Sequence, residues 1–231
     1  MNMKQKGKPW NKGFTKFTHP GMMKTSQTMA SMARSNFYQW QLKNKKAYSN
    51  FKKDERLAEL IGVVLGDGHI QAFPRTERLI VSSNSQNSGF IKRYKMLIKT
   101  IFGKQPLCMK SKNSNCVRIS IYEKLISKRI GIQTGNRKGL NFRTPKWISR
   151  NKNYLKGYLR GLYEAEGSFC THKPTGTYKF LFKNTNNSLL NIVYDGMKTL
   201  GFHPHRSKHQ IQISKKEEVY AAQKMLKFRR Y

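Results

Sequence analysis

Two acidic residues occupy equivalent places in two similar segments of the chain. Asp67 lies near the end of LAELIGVVLGDGHI (57–70), and Glu166 lies near the end of KGYLRGLYEAEGSF (156–169). A glycine follows each acid. Carboxylate and backbone carbonyl oxygens are the ligands that Mg²⁺ prefers in proteins. A pair of such acids, brought together, could hold divalent metal ions and support hydrolysis of a phosphodiester.

The two acidic segments belong to an internal repeat, which is the strongest organising feature of the sequence. They align without gaps at an offset of 99 residues, so that Gly62 falls on Gly161, and SQNSGF (85–90) then falls on TNNSLL (185–190). Hydrophobic periods in each half predict the order helix, strand, strand, helix, strand, strand, helix. The predicted fold class is α+β, with two αββαββα repeats about a pseudo-two-fold axis and a four-stranded antiparallel sheet in each repeat.

Small residues recur at intervals of four along each repeated helix. They are Ala58, Gly62 and Gly66 in the first helix, and Gly157, Gly161 and Ala165 in the second. Glycine inside a helix costs about 1 kcal/mol relative to alanine, so matching glycines predict two helices whose backbones approach closely. That packing would bring Asp67 and Glu166 to one edge of the axis. The macrodipole disfavours a carboxylate at a helix C-terminus, so both acids indicate function, whereas Gly68 and Gly167 suit left-handed C-caps.

The excess of basic over acidic residues indicates what kind of partner the chain binds. Lys and Arg number 46 and Asp and Glu number 11, which gives a formal net charge of +35 and indicates a polyanionic partner. The longest aliphatic run, 60–65, is too short to span a bilayer, and the N-terminus lacks the apolar stretch of a secretory signal. Three widely spaced cysteines without a C-x-x-C pair argue against a zinc ribbon or disulfide scaffold. We expect no membrane association and an intracellular location, in the cytoplasm or nucleoid or in a eukaryotic organelle.

The paired acids and the charge together match duplex DNA, whose strands are related by local two-fold axes. Each of two scissile phosphates could face one carboxylate. Each sheet could lie over the major groove, which admits a two-stranded β-ribbon. Polar strand residues are then candidates for base contacts. They are Gln71, Arg75, Arg78, Ser82 and Arg118 in the first half, and His172, Lys179, Lys183, His205, Gln210 and Gln212 in the second.

The segments LIGVVLGDG (60–68) and LRGLYEAEG (159–167) resemble the motif of the LAGLIDADG homing endonucleases. The resemblance covers roughly 54–231 and includes the P-x-W-I linker at 145–148. Two motifs in one chain resemble the monomeric, pseudo-symmetric members. The resemblance implies Mg²⁺-dependent double-strand cleavage of a long DNA site across the minor groove, 3′ overhangs, and origin in a mobile intron or intein. Mn²⁺ is expected to replace Mg²⁺, and Ca²⁺ to bind without supporting cleavage.

The resemblance also implies roles for particular residues. By motif position Asp67 and Glu166 would bind metal, together with the backbone at Gly66 and Ala165. The second motif departs from the first in carrying Glu164 and Ala165 where the first has leucine and glycine.

Further roles are implied outside the two motifs. Gln86 and Asn186 would order water after the second strand of each repeat. Lys138, with Arg137 beside it, matches a basic residue that follows the third helix of each repeat in the family. In the second half only three basic residues are available for this role, and they match poorly. They are Lys227, Arg229 and Arg230.

The chain divides into three segments: 1–50, a basic N-terminal extension; 51–140, the first repeat; and 141–231, the linker and second repeat. The extension has no Asp or Glu and no sustained apolar period, which predicts a flexible or loosely folded basic arm. It is a candidate additional DNA-binding arm, and GKPWNKG (7–13) resembles DNA-binding modules appended to such nucleases.

Three other classes of function stay open. The chain could be an RNA maturase with intron RNA as its partner, or a non-cleaving DNA-binding protein on the same fold. It could also bind metal through His203, His205 and His209, although three such histidines rarely form a site without a fourth ligand. Retention of both acids favours cleavage over binding alone, since binding would not require them.

Overall fold

The computed structural model describes residues 12–43 and 48–231, which fall into two compact units, 1–48 and 49–231. The first unit contains helix α1 (Pro20–Lys43). The expectation of a loosely folded arm is therefore wrong for this part of the extension. Residues 22–43 contain neither glycine nor proline, and Pro20 stands at the first helical position, where proline is favoured. Since almost all described side chains of α1 are exposed, no apolar period marks the helix in the sequence. The segment 7–13 lies largely outside the described residues.

The second unit contains two halves with the same order of elements, as the repeat predicts. In the first half the elements are α2 (Glu55–Gly66), β1 (Gly68–Phe73), β2 (Thr76–Asn84), α3 (Ser88–Phe102), β3 (Leu107–Lys110), β4 (Cys116–Glu123) and α4 (Ile126–Ile130). The short helix α5 (Lys146–Ser149) lies in the linker. In the second half they are α6 (Lys152–Glu166), β5 (Gly167–His172), a 3₁₀ turn (Lys173–Thr175), β6 (Thr177–Lys183), α7 (Asn187–Thr199), β7 (His205–Ser207), β8 (Gln210–Ile213) and α8 (Lys216–Met225).

Each half has one four-stranded antiparallel sheet. The strand orders are β1-β2-β4-β3 and β5-β6-β8-β7. The α+β prediction with two αββαββα repeats is confirmed. Alternation along the strands gives each sheet an inner, helix-covered face and an outer, accessible face. The inner face of the first sheet carries buried Leu79, Val81 and Ile119, and that of the second carries Phe180 and Phe182.

The helices α2 and α6 pack against each other through their glycines. A Cβ atom on Gly62 would lie 2.2 Å from the carbonyl oxygen of Tyr158, and one on Gly161 would lie 2.2 Å from that of Glu59. A Cβ atom on Gly66 would lie 2.4 Å from that of Ala165. Real side chains do not tolerate such distances, so the predicted close approach of the two backbones is confirmed.

The glycines that follow the two acids have a different role from the one predicted. Gly167 is extended, with φ −92° and ψ 159°, and Gly68 is the first residue of β1 and also lacks a positive φ. Each helix passes directly into a strand without a left-handed cap. Glycine is needed because a Cβ atom would lie 2.4 Å from Cα of Val64 at Gly68, and 2.4 Å from the carbonyl oxygen of Tyr163 at Gly167.

The helix interface can be tested with matched glycine substitutions. Gly161→Ala should lower the free energy of unfolding by about 1–3 kcal/mol, because the methyl group forces the two helices apart. Gly196→Ala on α7 is the control, since the atoms nearest to its Cβ would be side-chain carbons of Leu159, at 3.1 and 3.4 Å, rather than backbone atoms. Urea denaturation should show little loss, or a gain of up to about 1 kcal/mol, for this second variant. Equal effects of the two substitutions would contradict close backbone packing.

Candidate acidic centre and nucleic-acid interface

The structure places the two predicted acids at the same end of the α2–α6 pair. The backbone N–H of Asp67 donates to the carbonyl oxygen of Val63 at 3.0 Å, so Asp67 closes α2, and Glu166 is the last residue of α6. A Cβ atom on Gly66 would lie 3.3 Å from Cγ of Glu166, which puts the glutamate side chain against the opposite helix. Gly66 and Ala165, the proposed sources of backbone ligands, therefore meet at this end of the interface.

The surroundings favour the protonated form of both acids. Asp67 lines an open cleft and is accessible to solvent, yet the protein around it raises the pKa of its carboxyl to about 7. Partial burial is the larger cause, and the negative charge of Glu166 is the second. Partial burial also raises the pKa of the Glu166 carboxyl. A divalent cation between these carboxylates would stabilise their ionised forms, so metal binding here would release protons.

Two asparagines lie beside the acids at aligned positions: Asn84 is the last residue of β2, and Asn184 directly follows its counterpart β6. Asn184 Nδ2 is 3.5 Å from Oε1 of Glu166, and Asn84 lines the same cleft as Asp67, a cavity of about 330 Å³. Their carboxamide oxygens accept from the backbone N–H groups two residues later, at 3.0 Å for Asn84 and 2.8 Å for Asn184. Sequence reasoning missed both. The signal was available, since each asparagine directly precedes one of the aligned segments SQNSGF and TNNSLL.

The predicted water-ordering residues are placed less favourably. Asn186 caps α7: its Oδ1 accepts from the backbone N–H of Ser188 at 2.9 Å, and its Nδ2 donates to the carbonyl oxygen of Leu140 at 2.8 Å. The carboxamide is thus occupied by structural hydrogen bonds. Gln86 is exposed at the start of the turn before α3. A catalytic role for Gln86 or Asn186 stays a prediction.

An arginine lies next to the glycine that follows each acid. Arg137 donates from Nη1 to the carbonyl oxygen of Val64 at 2.8 Å and from Nη2 to that of Gly68. Arg229 Nη2 is 3.5 Å from the carbonyl oxygen of Gly167. Because Gly68 and Gly167 are equivalent in the repeat, the two guanidinium groups are equivalent as well. Partial burial lowers the pKa of Arg137 below its usual value, although the group stays charged.

The two neighbouring basic residues predicted in the first half, Arg137 and Lys138, therefore differ in their surroundings. Lys138 is exposed, and its backbone N–H donates to Asn136 at 2.9 Å, while Arg137 next to it reaches the acidic end of α2. The loop that carries Arg137 is attached to β1 by a bond from the N–H of Gly135 to the carbonyl oxygen of Ile70, at 2.8 Å.

Arg229 is held in place by a buried ionic network. Glu164 accepts from the backbone N–H of Arg229 at 2.7 Å and from the hydroxyl of Tyr231. Arg160 lies 3.5 Å from Glu59 and 3.9 Å from Glu164, and its Nη2 donates to the backbone of the same C-terminal segment. Burial is the largest influence on Glu164 and raises the pKa of its carboxyl. Glu164 stands where the first motif has leucine, so this support exists only in the second half.

The predicted DNA-binding residues that lie in strands share the outer faces of the two sheets. Pairing register puts Gln71 opposite Arg78, and Ser82 opposite Arg118, in the first sheet. In the second sheet, it puts Lys183 opposite Gln210 and His205 opposite Gln212, with His172 and Lys179 on the same face. Arg75 lies in the turn between β1 and β2. Arg78 also lies over the ring of Tyr122, with its Cζ 5.3 Å from the centroid.

The outer strand positions of both sheets carry no Asp or Glu. The acids of the first sheet point inward. Glu77 accepts from the N–H and hydroxyl of Ser127 at 2.7 Å, and Glu123 pairs with Lys104 and Arg129 at 2.9 and 2.7 Å. The outer faces are thus electrostatically suited to a polyanion.

The histidine hypothesis receives no support from the geometry. Within residues 12–43 and 48–231, no group of three or more His, Cys, Asp or Glu side chains is arranged to hold a metal ion. Instead, the backbone N–H of His203 donates to Oε2 of Glu218 on α8 at 2.8 Å, and its ring Nδ1 lies 3.0 Å from Oε1 of the same carboxylate. The acidic centre offers two carboxylates, a donor set that suits Mg²⁺, since this ion usually keeps several waters and takes one or two carboxylates with substrate phosphates.

Comparison with known proteins defines the fold. No protein-family model matches the chain. The chain resembles mesophilic variants of the homing endonuclease I-DmoI, with a TM-score of 0.51 and 16% identity, and the match covers 74% of this chain and 94% of that chain. It resembles I-DmoI Q42AK120M in complex with its nicked target DNA in the presence of Mn, with a TM-score of 0.50, 15% identity and the same two coverages. It also resembles the N-terminal LAGLIDADG domain of DUF199/WhiA, with a TM-score of 0.50 and 14% identity, over 74% of this chain and 80% of that chain. The second unit therefore has the LAGLIDADG fold.

A curated relative adds a local sequence match. The chain is 31% identical, over 114 residues, to glutamine–fructose-6-phosphate aminotransferase [isomerizing] of Methanocaldococcus jannaschii. The match covers 48% of this chain and 10% of that protein, so the chain spans about a tenth of the length of this relative. No helix in the described parts of the chain is long and apolar enough to cross a membrane.

The raised pKa of Asp67 predicts a pH dependence of stability. The folded protein keeps a proton on this carboxyl between about pH 4 and pH 7, where the unfolded chain has released it. Stability of the metal-free protein should therefore fall as the pH rises through this window. Asp67→Asn should reduce the slope, while Asp195→Asn on the exposed side of α7 should leave it unchanged. Urea denaturation at several pH values measures the slope, and an unaltered slope in Asp67→Asn would show that Asp67 is not destabilised by its surroundings.

Proposed function

We propose that this chain is a site-specific DNA endonuclease that makes metal-dependent double-strand breaks in a long target site. The observation that carries the proposal is the convergence of Asp67 and Glu166 at one end of the α2–α6 pair. Each acid is followed directly by the first strand of a sheet whose outer face lacks acids. Two equivalent acids and two equivalent sheets suit the two strands of a duplex.

The chain's own residues would have distinct tasks in this reaction. Asp67 and Glu166, with the backbone at Gly66 and Ala165, would hold Mg²⁺ or Mn²⁺. When bound, the metal supplies positive charge that stabilises phosphoryl oxygens. Because the pKa of the Asp67 carboxyl is about 7 without metal, the pair is poised to exchange protons for cations near neutral pH.

Beside each acid the chain provides one carboxamide and one guanidinium group. Asn184 lies within 3.5 Å of Glu166, and Asn84 lines the cleft of Asp67, so both can orient water or a phosphate. Arg137 and Arg229 place fixed positive charge next to Gly68 and Gly167. Positive charge preorganised near a phosphate stabilises the charge that develops during its hydrolysis.

The proposal extends to the biological setting. We infer that the chain acts as a monomer and is encoded by a mobile intron or intein, the homing role that the two motifs imply. In support, the sequence match is limited to a tenth of a protein named for an aminotransferase reaction. Insertion of a mobile coding element into an unrelated gene would produce such a local match. Intron RNA is a further partner under this proposal.

The second candidate function is DNA binding without cleavage on the same fold. Two observations favour it: the similarity to a LAGLIDADG domain of DUF199/WhiA, a name that describes no nuclease, and the raised pKa of Asp67, which weakens metal binding below neutral pH. The retained pair of carboxylates favours the nuclease, because DNA binding alone does not require it.

Cleavage can be tested with the acids and a matched control. Wild-type protein with Mg²⁺ and a plasmid library should give discrete linear products. Asp67→Asn or Glu166→Gln should abolish linearisation but retain DNA binding, since only the metal-binding charge is removed. Asp195→Asn should cut like wild type.

Circular dichroism separates the alternatives in that experiment. Folded variants that bind but do not cut support the nuclease. Loss of fold in both acid variants would instead indicate a structural role for the carboxylates. A wild type that binds a selected site without ever cutting it supports the second candidate function.

The basic extension should contribute to the salt dependence of binding. Lys16, Lys24 and Arg34 are exposed cations of the first unit. Their replacement by glutamine should reduce the slope of log affinity against log salt by up to about 3, since each phosphate contact contributes about 0.9. The control replaces Lys99, Lys198 and Lys224, which lie on the helices that cover the inner sheet faces. An equal slope in both triple variants would remove the extension from the interface.

A further inference from the structure

The outermost strand of the first sheet exposes two apolar side chains on the outer face. Leu107 is 56% exposed and Met109 is 59% exposed. Register places Leu107 opposite Ser120 and Met109 opposite Arg118, and both partners belong to the outer face. Exposed apolar side chains within a polar, basic surface indicate contact with an apolar group of a partner.

The equivalent positions in the second half are polar. The central pairs Val81–Ile119 and Phe182–Ile211 align the two sheets. With this alignment Leu107 corresponds to His205, which is opposite Gln212, and Met109 corresponds to Ser207, which is opposite Gln210. The two outer edges therefore share a backbone arrangement but present different chemistry.

The apolar character continues across the tip of the first sheet. Tyr122 is 43% exposed, and Phe73 is 40% exposed, with the two ring centroids 6.0 Å apart. In the second sheet the counterpart of Phe73 is His172, at the same end of the corresponding strand. The difference between the halves thus involves a surface rather than one position.

We propose that Leu107 and Met109 read thymine C5-methyl groups in the half-site that the first repeat contacts. In the major groove, thymine is the base that presents a methyl group, and apolar side chains recognise it by contact. The unbranched side chain of Met109 can adapt to such a shape. The second repeat would read its own half-site through His205, Gln210 and Gln212, whose donors and acceptors suit base edges. This inference rests on the proposed function, because it assigns DNA to the outer faces.

Charge argues for a duplex rather than a second copy of the chain on this edge. An exposed apolar edge strand is a hazard for strand-to-strand association. However, β3 ends at Lys110, Arg118 of β4 lies opposite Met109, and the chain carries a net charge of +35. Copies of the chain repel one another, whereas a duplex is attracted to the same surface.

The experiment compares thymine with uracil, which differ only in the methyl group. The Asp67→Asn variant of the full chain is first used to select binding sites from a random duplex library. Thymines should be enriched in the half-site of the first repeat. Replacing these thymines by uracil should weaken binding about three- to fourfold for each methyl group that is contacted. The same replacement in the other half-site should have no such effect.

Exchange of residues between the halves provides matched controls. In the Asp67→Asn background, Leu107→His with Met109→Ser should abolish sensitivity to uracil. His205→Leu with Ser207→Met should confer that sensitivity on the other half-site. Equal affinity for thymine and uracil in the first half-site, or unchanged sensitivity after the exchange, would overturn the proposal.

The outcomes also separate this proposal from the proposed function. Selection that enriches no site would overturn both. A wild-type protein that binds the selected site without cutting it would refute the proposed nuclease activity. The comparison of thymine with uracil would still show whether Leu107 and Met109 contact the methyl groups. If the Leu107 and Met109 exchange instead converts a dimer into a monomer in light scattering, the edge serves a second copy and the proposal fails.

Discussion

Close packing of α2 against α6 is the constraint on which the rest of the structure depends. The glycines at positions 62 and 161 allow each backbone to lie against the carbonyl groups of the other helix. Because the helices approach this closely, Asp67 and Glu166 at their C-terminal ends are brought together by the helix packing itself. Strands β1 and β5 start immediately afterwards, so the same contact that joins the halves also sets where the two sheets begin. A larger residue at these glycines would move the acids and the sheets together.

The distribution of charge follows from this arrangement. Acids are scarce. Apart from Asp195 on the exposed side of α7, those of the second unit described above lie inward, at helix ends or in the interface between the halves. Glu59 and Glu164 are buried with Arg93 and Arg160, which makes their charges internal to the fold. Asp67 and Glu166 are different: among the described residues neither is in an ion pair as close as that of Glu59 with Arg93, so partial burial disfavours their ionised forms without this compensation. The unfavourable negative charge at this point is one that a divalent cation would relieve.

Much of the fold could be predicted because the same sequence pattern, and so the same order of elements, occurs in both halves. The gapless match of 57–70 with 156–169, together with its glycines, indicates both the helix pair and its packing. The order of strands followed from alternation, since each sheet has one buried face. By contrast, α1 lacks an apolar period, because its side chains are exposed, and only its helix-forming composition signals it. The prediction of left-handed caps at Gly68 and Gly167 was wrong, because the sequence does not distinguish such a cap from a site with no room for a Cβ atom.

The basic and amide residues near the acids were harder to predict for a physical reason. Arg229 reaches Gly167 because Glu164 and Arg160 of α6 hold the C-terminal segment against that helix, and contacts so far apart in sequence leave no local pattern. Asn186 has the sequence position expected of a water-ordering residue, yet its carboxamide is occupied by the hydrogen bonds that cap α7. Asn184, two residues earlier, lies nearer to Glu166.

The position of Mn²⁺ in crystals of the protein with its selected duplex, located by anomalous scattering, tests directly whether the paired acids form a metal centre. We expect Mn²⁺ between the duplex and the carboxylates of Asp67 and Glu166, with Arg137 and Arg229 next to the phosphates. Mn²⁺ bound elsewhere, or a duplex that avoids this end of α2 and α6, would contradict it.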